Sequence, residues 1–233
     1  MNYKNIFKES IENYYQNLQS FNATNTFNIL LYHGVTNVKS RGIENYAAKH
    51  IYQDKFYEQI KFISDNISKD QRVIFPNTNS GYGTRGDGMV TEEDELTPIS
   101  HYGQTKCEAE DYIINESNGI SFRLATVFGV SSRMRTDLLV NFYVFEAVKK
   151  KRLKVFDPYF RRNFIHISDI CKAFLFSMEN FKIMRSDIYN LGLSSANINK
   201  LKLCNLIKKR IPKLKIEIIK NKTDKDKRDY IVS

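Results

Sequence analysis

Several residue types and patterns are scarce in this chain of 233 residues, and each absence excludes a class of protein. There is no tryptophan, and the three cysteines (Cys107, Cys171 and Cys204) are too widely separated to indicate a disulfide framework or a zinc site. The chain has no apolar run of membrane-spanning length and no secretory apolar stretch after Met1. We therefore expect a cytoplasmic protein with no metal site and no membrane partner.

Acidic residues are outnumbered by basic ones, which gives a formal net charge of +10. A basic run at 149–154 is the strongest candidate for a nucleic-acid site. This run follows a predicted helix over 137–148, and cations suit the C-terminal end of a helix dipole. Because lysine is also abundant throughout the chain, we predict a solvated helix end and no nucleic-acid partner. A basic binding module is the least favoured alternative.

A glycine-rich turn that could hold a dinucleotide is also missing. The pattern G-x-G-x-x-G occurs once, from Gly81 to Gly86, after an apolar strand. In dinucleotide-binding proteins a helix opens on this pattern. Here the acidic stretch 87–95 follows without apolar periodicity, and negative charge would repel a pyrophosphate. We interpret these glycines as turn residues after the strand, followed by a loop that Gly88 and Pro98 bracket.

Strands alternate with helices along the rest of the chain. Apolar periodicity predicts helices over 6–21, 55–67, 102–117, 137–149, 168–180 and 199–211, and strands over 28–33, 72–76, 120–128, 153–156, 187–191 and 214–219. The charged stretch 220–227 is predicted to be loose. This alternation predicts an α/β fold with a parallel sheet covered on both faces.

Tyr102 and Lys106 are the residues most indicative of chemistry. They are four residues apart in a predicted helix and therefore share one helix face. Free tyrosine has a pKa of about 10, and a nearby ammonium lowers it toward the range useful for proton transfer. Thr78, at the end of the strand 72–76, could hydrogen-bond the same substrate oxygen. Together the three residues suit the interconversion of alcohols and ketones.

From about Lys69 onward the chain resembles the extended short-chain dehydrogenase/reductases, in particular the NAD-dependent sugar-nucleotide epimerase/dehydratase family. The matching motifs occur in the family's order: Thr78 to Gly83, Tyr102-x-x-x-Lys106, Arg123 to Gly129, Arg162 to Asp169, Tyr189 to Gly192, and Lys227 to Tyr230. The resemblance implies a doubly wound, Rossmann-like parallel sheet with a small C-terminal substrate-binding α/β part.

The resemblance also implies roles for individual residues. Tyr102 transfers the proton, Thr78 bonds the substrate hydroxyl, and Lys106 with Tyr102 contacts the ribose of NAD or NADP. Arg162 matches the arginine that clamps the sugar-nucleotide pyrophosphate, and Asn141 an asparagine near the nucleotide phosphates. Arg123 is interpreted as structural.

Two residues depart from one branch of the family. Asn79 and Ser80 replace the Asp-Glu pair of the dehydratases. This replacement favours epimerisation or oxidation and reduction over elimination of water.

The segment before Lys69 departs from the family. Residues 27–66 are similar to the opening of polysaccharide deacetylases of the NodB type, without that family's metal-binding aspartates and His-x-x-x-His. We therefore predict a deacetylase-like fragment over 1–68 and an incomplete epimerase/dehydratase domain over 69–233. The family's N-terminal glycine-rich, cofactor-binding half is missing, which predicts weak or absent NAD binding.

Two main hypotheses follow for function. The first is an enzyme of nucleotide-linked sugars in surface-polysaccharide biosynthesis, acting as a homodimer or with a complementing chain. The second is an inactive fusion remnant of two truncated polysaccharide enzymes.

Overall fold

The computed structural model describes residues 29–31, 72–131, 135–220 and 227–233. The predicted helices over 6–21 and 55–67 lie outside these ranges. The strands are β1 (Ile29–Leu31), β2 (Arg72–Thr78), β3 (Thr84–Val90), β4 (Ile120–Leu124), β5 (Thr126–Phe128), β6 (Arg152–Val155), β7 (Arg161–Arg162), β8 (Phe164–His166), β9 (Asp187–Leu191), β10 (Ile198–Asn199), β11 (Lys215–Ile218) and β12 (Asp229–Val232). The α-helices are α1 (His101–Ser117), α2 (Leu139–Lys150), α3 (Ile167–Glu179), α4 (Phe181–Met184) and α5 (Lys200–Arg210).

Four of the described strands form one parallel sheet in the order β1-β2-β4-β9. The mixed α/β fold with a parallel, Rossmann-like sheet confirms the predicted fold class. The strand predicted over 28–33 is shorter, and its residue Ile29 pairs with Arg72 of β2. β1 therefore lies along the edge of β2 opposite to β4.

The core of this half lies on both faces of β2. Side chains alternate across a strand, so Val73 and Phe75 pack with Ala109 and Ile113 of α1. On the other face Ile74 packs in a second cluster with residues of β4 and α4. Burial on both faces explains why this strand reads as a continuous apolar run rather than an alternating one.

Helix α1 begins and ends at residues suited to these positions. The Ser100 hydroxyl accepts a hydrogen bond from the Gly103 amide at 3.1 Å, which caps the helix N-terminus. Asn118 ends the helix in the left-handed conformation, with φ of 50°. Between these ends Tyr102, Lys106 and Glu110 recur every four residues, so they form one stripe facing the sheet.

Glu110 anchors this stripe in the interior. Its side chain is fully buried and forms an ion pair with the Arg123 guanidinium at 2.7 Å. The same carboxylate accepts hydrogen bonds from Asn77 Nδ2 at 2.7 Å and Ser121 Oγ at 2.6 Å. Arg123 Nη1 also donates to the hydroxyl of buried Tyr82 at 2.9 Å. The predicted structural role of Arg123 is confirmed.

The C-terminal part of the chain has its own core. Tyr143 and Ala147 of α2 pack against Leu153 of β6 and against Leu203 and Cys204 of α5. β6 and β11 pair in parallel, and β12 pairs in parallel with β3. β12 thereby attaches the end of the chain to the segment that follows β2.

Two local predictions were wrong. The segment 84–90, expected to be part of a loop, is β3, because β12 supplies a pairing partner from the far end of the chain. The strand expected over 120–128 is interrupted at Ala125, whose amide donates to Leu191 O at 2.9 Å. β4 stays in the central sheet and β5 pairs with β8.

The variant E110Q should lower the free energy of unfolding by about 3 kcal/mol or more, because it leaves the Arg123 charge buried without its counter-ion. Urea denaturation measures this loss. The matched control is E116Q on the exposed face of the same helix, which should change stability by less than about 0.5 kcal/mol. Equal effects of the two variants would contradict the anchoring role of Glu110.

Candidate active site

Thr78 lies at the carboxyl end of β2, where parallel α/β sheets bind their ligands. Its hydroxyl accepts a hydrogen bond from the Ser80 amide at 3.1 Å and donates to Ser80 Oγ at 3.0 Å. The first of these bonds caps a short 3₁₀ helix over Asn79–Tyr82. The Arg228 guanidinium donates to the same Ser80 Oγ. The sequence indicated Thr78 but not the contact with Arg228.

Tyr102 is in the first turn of α1 and remains 39% exposed. Arg135 lies near enough to interact with it electrostatically: a hydrogen bond to Asp137 and, to a smaller degree, the tyrosine charge raise the pKa of Arg135. Arg135 had no motif to mark it in the sequence, since its relation to Tyr102 arises only in the folded chain.

Lys106 is 1% exposed, one helical turn below Tyr102. Its amine donates to Pro76 O at 2.9 Å and lies 4.5 Å from the centroid of the Phe75 ring. Burial lowers the pKa of this amine to about 8. Lys106 therefore lies against the end of β2. Its amine donates to the backbone carbonyl of Pro76, two residues before Thr78.

The two residues predicted to bind substrate phosphates are both buried. Asn141 accepts from the Gly129 amide at 3.3 Å and donates to Arg135 O at 3.0 Å, so it ties together the two ends of the loop between β5 and α2. Arg162 is 3% exposed, donates to Arg161 O at 2.7 Å and lies 5.6 Å from the centroid of the Tyr230 ring. Their roles toward a substrate stay predictions.

Asn79 is a further polar group at the carboxyl end of β2, which we call the rim, and follows Thr78 directly. Its side chain is fully buried, and neither amide atom has a hydrogen-bond partner. A buried polar group without a partner costs about 1–3 kcal/mol, which is why such groups in folded proteins usually face water or a ligand. The sequence had marked Asn79 only as a replacement for a carboxylate.

No cluster of three or more His, Cys, Asp or Glu in the described ranges could hold a metal ion. No helix in these ranges is long and apolar enough to cross a bilayer. Burial raises the pKa of the Cys107 thiol to about 12, so it is a poor nucleophile at neutral pH.

Comparison with known protein families identifies the family of this chain. The model of the NAD dependent epimerase/dehydratase family matches residues 40–192. The chain belongs to this family. The match begins upstream of Lys69, the boundary that the motifs suggested, so the division into 1–68 and 69–233 stays a prediction.

The relatives of this epimerase/dehydratase are longer than the chain itself. A protein named uncharacterized UDP-glucose epimerase YtcB, from Bacillus subtilis, is 34% identical over 109 residues, which cover 44% of this chain and 34% of that protein. The ADP-L-glycero-D-manno-heptose-6-epimerase of Brachyspira hyodysenteriae is 25% identical over 190 residues, or 77% of this chain and 58% of that protein. The matched part of the chain thus spans about one third to somewhat over half of these relatives.

Solved structures of similar fold include nucleotide-sugar enzymes. A dTDP-glucose 4,6-dehydratase from Bacillus anthracis in complex with NAD has a TM-score of 0.62 and 21% identity, with 93% of this chain and 82% of that chain covered. A UDP-glucuronic acid 4-epimerase from Bacillus cereus, in complex with UDP-glucuronic acid and NAD, has a TM-score of 0.65 and 22% identity, with 85% and 63% covered. At these identities the likeness concerns the fold.

The described residues of this epimerase/dehydratase do not fit a whole dinucleotide. Among the described helices, none begins at a glycine-rich turn that follows a strand of the central sheet. The Gly81–Gly86 pattern continues into β3 rather than into an α-helix, and Gly83 has a φ of 67° and approaches Thr97 O, as a turn residue does.

NAD at about 1 mM should therefore raise the thermal unfolding midpoint of the chain by less than about 1 °C, because the described residues support weak binding only and turnover then needs NAD in large excess. A dissociation constant of about 1 µM would instead stabilise the protein by about 4 kcal/mol at this concentration, an increase of several degrees. Differential scanning calorimetry with and without NAD distinguishes the two. An increase of several degrees in the midpoint would contradict the statement that the described part of the chain lacks a site for the whole dinucleotide.

Stability should depend on pH through Lys106. Its folded-state pKa of about 8 lies below the ordinary value of 10.5, so the unfolded chain binds more protons between these values. Stability from this group therefore rises as pH increases from about 8 to 10.5, by up to about 3 kcal/mol. Urea unfolding of the wild type and of K106M at pH 7 and pH 10.5 should show this gain in the wild type only. The exposed-site control K202M should behave as the wild type, and a pH-independent difference would contradict the assignment.

Proposed function

We propose that the chain acts on a nucleotide-linked sugar, with Tyr102 exchanging a proton with a sugar hydroxyl or the corresponding ketone. The observation that supports this is the placement of Tyr102: exposed, in the first turn of α1, four residues before buried Lys106 and next to Gly103, which approaches Ser80 O of the Thr78 turn. Curated relatives named as sugar-nucleotide epimerases support the substrate class. A role in surface-polysaccharide biosynthesis belongs to this proposal.

The rim favours epimerisation or oxidation and reduction over dehydration. Elimination of water needs an acid and a base beside the sugar, and family members that dehydrate use an Asp-Glu pair there. In this chain the two positions hold Asn79 and Ser80, and Ser80 Oγ is bound to the Arg228 cation. An amide and a hydroxyl beside a guanidinium can donate hydrogen bonds but do not abstract a carbon-bound proton.

The hydride that alcohol–ketone interconversion requires has no acceptor among the described residues. In the family this acceptor is NAD or NADP. We infer that it is held by residues outside the described ranges or by a complementing chain, with a homodimer as the simplest arrangement. The proposed function includes no nucleic-acid partner and no membrane partner.

A second candidate is an inactive fusion remnant. It is favoured by one observation, the burial of the Lys106 amine, which donates to Pro76 O. In that case the chain retains the fold of the family without turnover.

Incubation of the chain with UDP-glucose, an ADP-heptose or a dTDP-linked deoxysugar, each with NAD or NADP in large excess, should change at least one sugar nucleotide. Y102F should lower that rate by about 100-fold or more, because the proton donor is removed, while the KM changes little. Chromatographic separation of the sugar nucleotides measures the rate.

The matched control is Y159F, which alters an exposed tyrosine outside the rim and should keep the wild-type rate. A wild-type chain that changes none of these compounds would contradict the proposal and favour the remnant. A Y102F variant as active as the wild type would remove Tyr102 from the reaction.

A further inference from the structure

Arg228, just before β12, and Asp229, its first residue, contact segments that are distant in sequence. Arg228 donates to Ser80 Oγ at the Thr78 turn. Asp229 accepts hydrogen bonds from the Arg161 amide at 2.7 Å and from Arg161 Nε at 3.0 Å. These contacts connect residues more than sixty positions apart in sequence, and the proposed function gives Arg228 no role in proton transfer.

The hydroxyls of Thr78 and Ser80 bind each other, and their remaining partners restrict the directions in which they can donate and accept hydrogen bonds. A hydroxyl carries one proton and two lone pairs. Thr78 Oγ1 uses its proton on Ser80 Oγ at 3.0 Å and one lone pair on the Ser80 amide at 3.1 Å. Ser80 Oγ accepts from both Thr78 and Arg228, and Ser80 is 1% exposed. An arginine only donates, so Arg228 always occupies a lone pair of Ser80.

We propose that Arg228 is a positioning residue that acts on Thr78 through Ser80, making the Thr78 hydroxyl a stronger hydrogen-bond donor to a substrate oxygen. When that oxygen is present, the pair exchanges roles: Ser80 donates to Thr78, and Thr78 donates to the substrate. Both protons and three of the four lone pairs of the two hydroxyls then have a partner, and no proton leaves either group. The proposal rests on the proposed function, because it needs a substrate oxygen at the rim.

The charge of Arg228 gives the relay its strength. A guanidinium bound to Ser80 polarises that hydroxyl, and polarisation passes along a chain of hydrogen bonds in a buried site. Donors arranged in advance toward a developing negative oxygen assist reactions at carbonyl groups. The Asp229–Arg161 ion pair and the pairing of β12 with β3 hold the backbone of Arg228 in place.

The first test uses thermal unfolding and needs no activity. The variants T78A and R228Q should lower the unfolding midpoint by less together than the sum of their separate effects, by about 2 °C or more. In an S80A background this coupling should vanish, since the two residues communicate only through Ser80. The control K227Q removes a neighbouring exposed cation and should show no coupling to T78A. Additive effects of T78A and R228Q would overturn the relay. Should R228Q fail to fold, R228M, which keeps most of the side-chain volume and removes the donor, takes its place in the cycle.

The second test uses turnover of the nucleotide sugar that the wild type changes fastest. R228Q should lower kcat roughly tenfold with little change in KM, and R228K should recover part of this loss because it retains a cation. In a T78A background R228Q should have no further effect on kcat. An equal loss in both backgrounds would show that Arg228 acts on the fold alone and would overturn the proposal.

The two tests separate the relay from the proposed function. A wild type without turnover contradicts the proposed function, and the relay is then decided by the unfolding cycle. Coupling that disappears in S80A supports the hydrogen-bonded relay even in that case, and its absence refutes it.

Discussion

The buried ion pair between Glu110 and Arg123 is the interaction on which the candidate site depends. Asn77, Arg123 and Asn190 face one another across β2, β4 and β9, and Glu110 reaches this row from α1. Removing two charges from water costs several kcal/mol per ion unless their hydrogen-bonding capacity is satisfied. Here the carboxylate accepts from three side chains, which leaves one register for α1 against the sheet.

This register sets a gradient of exposure along the helix stripe. Glu110 lies in the interior, Lys106 reaches the backbone at the end of β2, and Tyr102 emerges at the rim. A helix turn rises about 5.4 Å, so the same anchor that buries the carboxylate brings the phenol to the carboxyl edge of the sheet. The exposed position of Tyr102 is thus a consequence of the buried network rather than of the local loop.

What the sequence could predict were the features with local causes. The four-residue spacing of Tyr102 and Lys106, the Thr78 turn and the alternation of strands and helices follow from neighbours along the chain. β3, the interruption at Ala125 and the contacts of Arg228 depend on partners from distant segments, which no periodicity encodes. Asn141 shows the same limit: its residue type suits phosphate binding, whereas its observed bonds join Gly129 and Arg135.

Amide hydrogen exchange across α1 in the wild type and in E110Q tests the central claim most directly. If the Glu110–Arg123 pair fixes the whole helix, the amides of residues 103–107 should lose protection in the variant together with those beside residue 110, relative to the amides of α5. A loss confined to the turn around residue 110, with the Tyr102 end protected as before, would contradict the account.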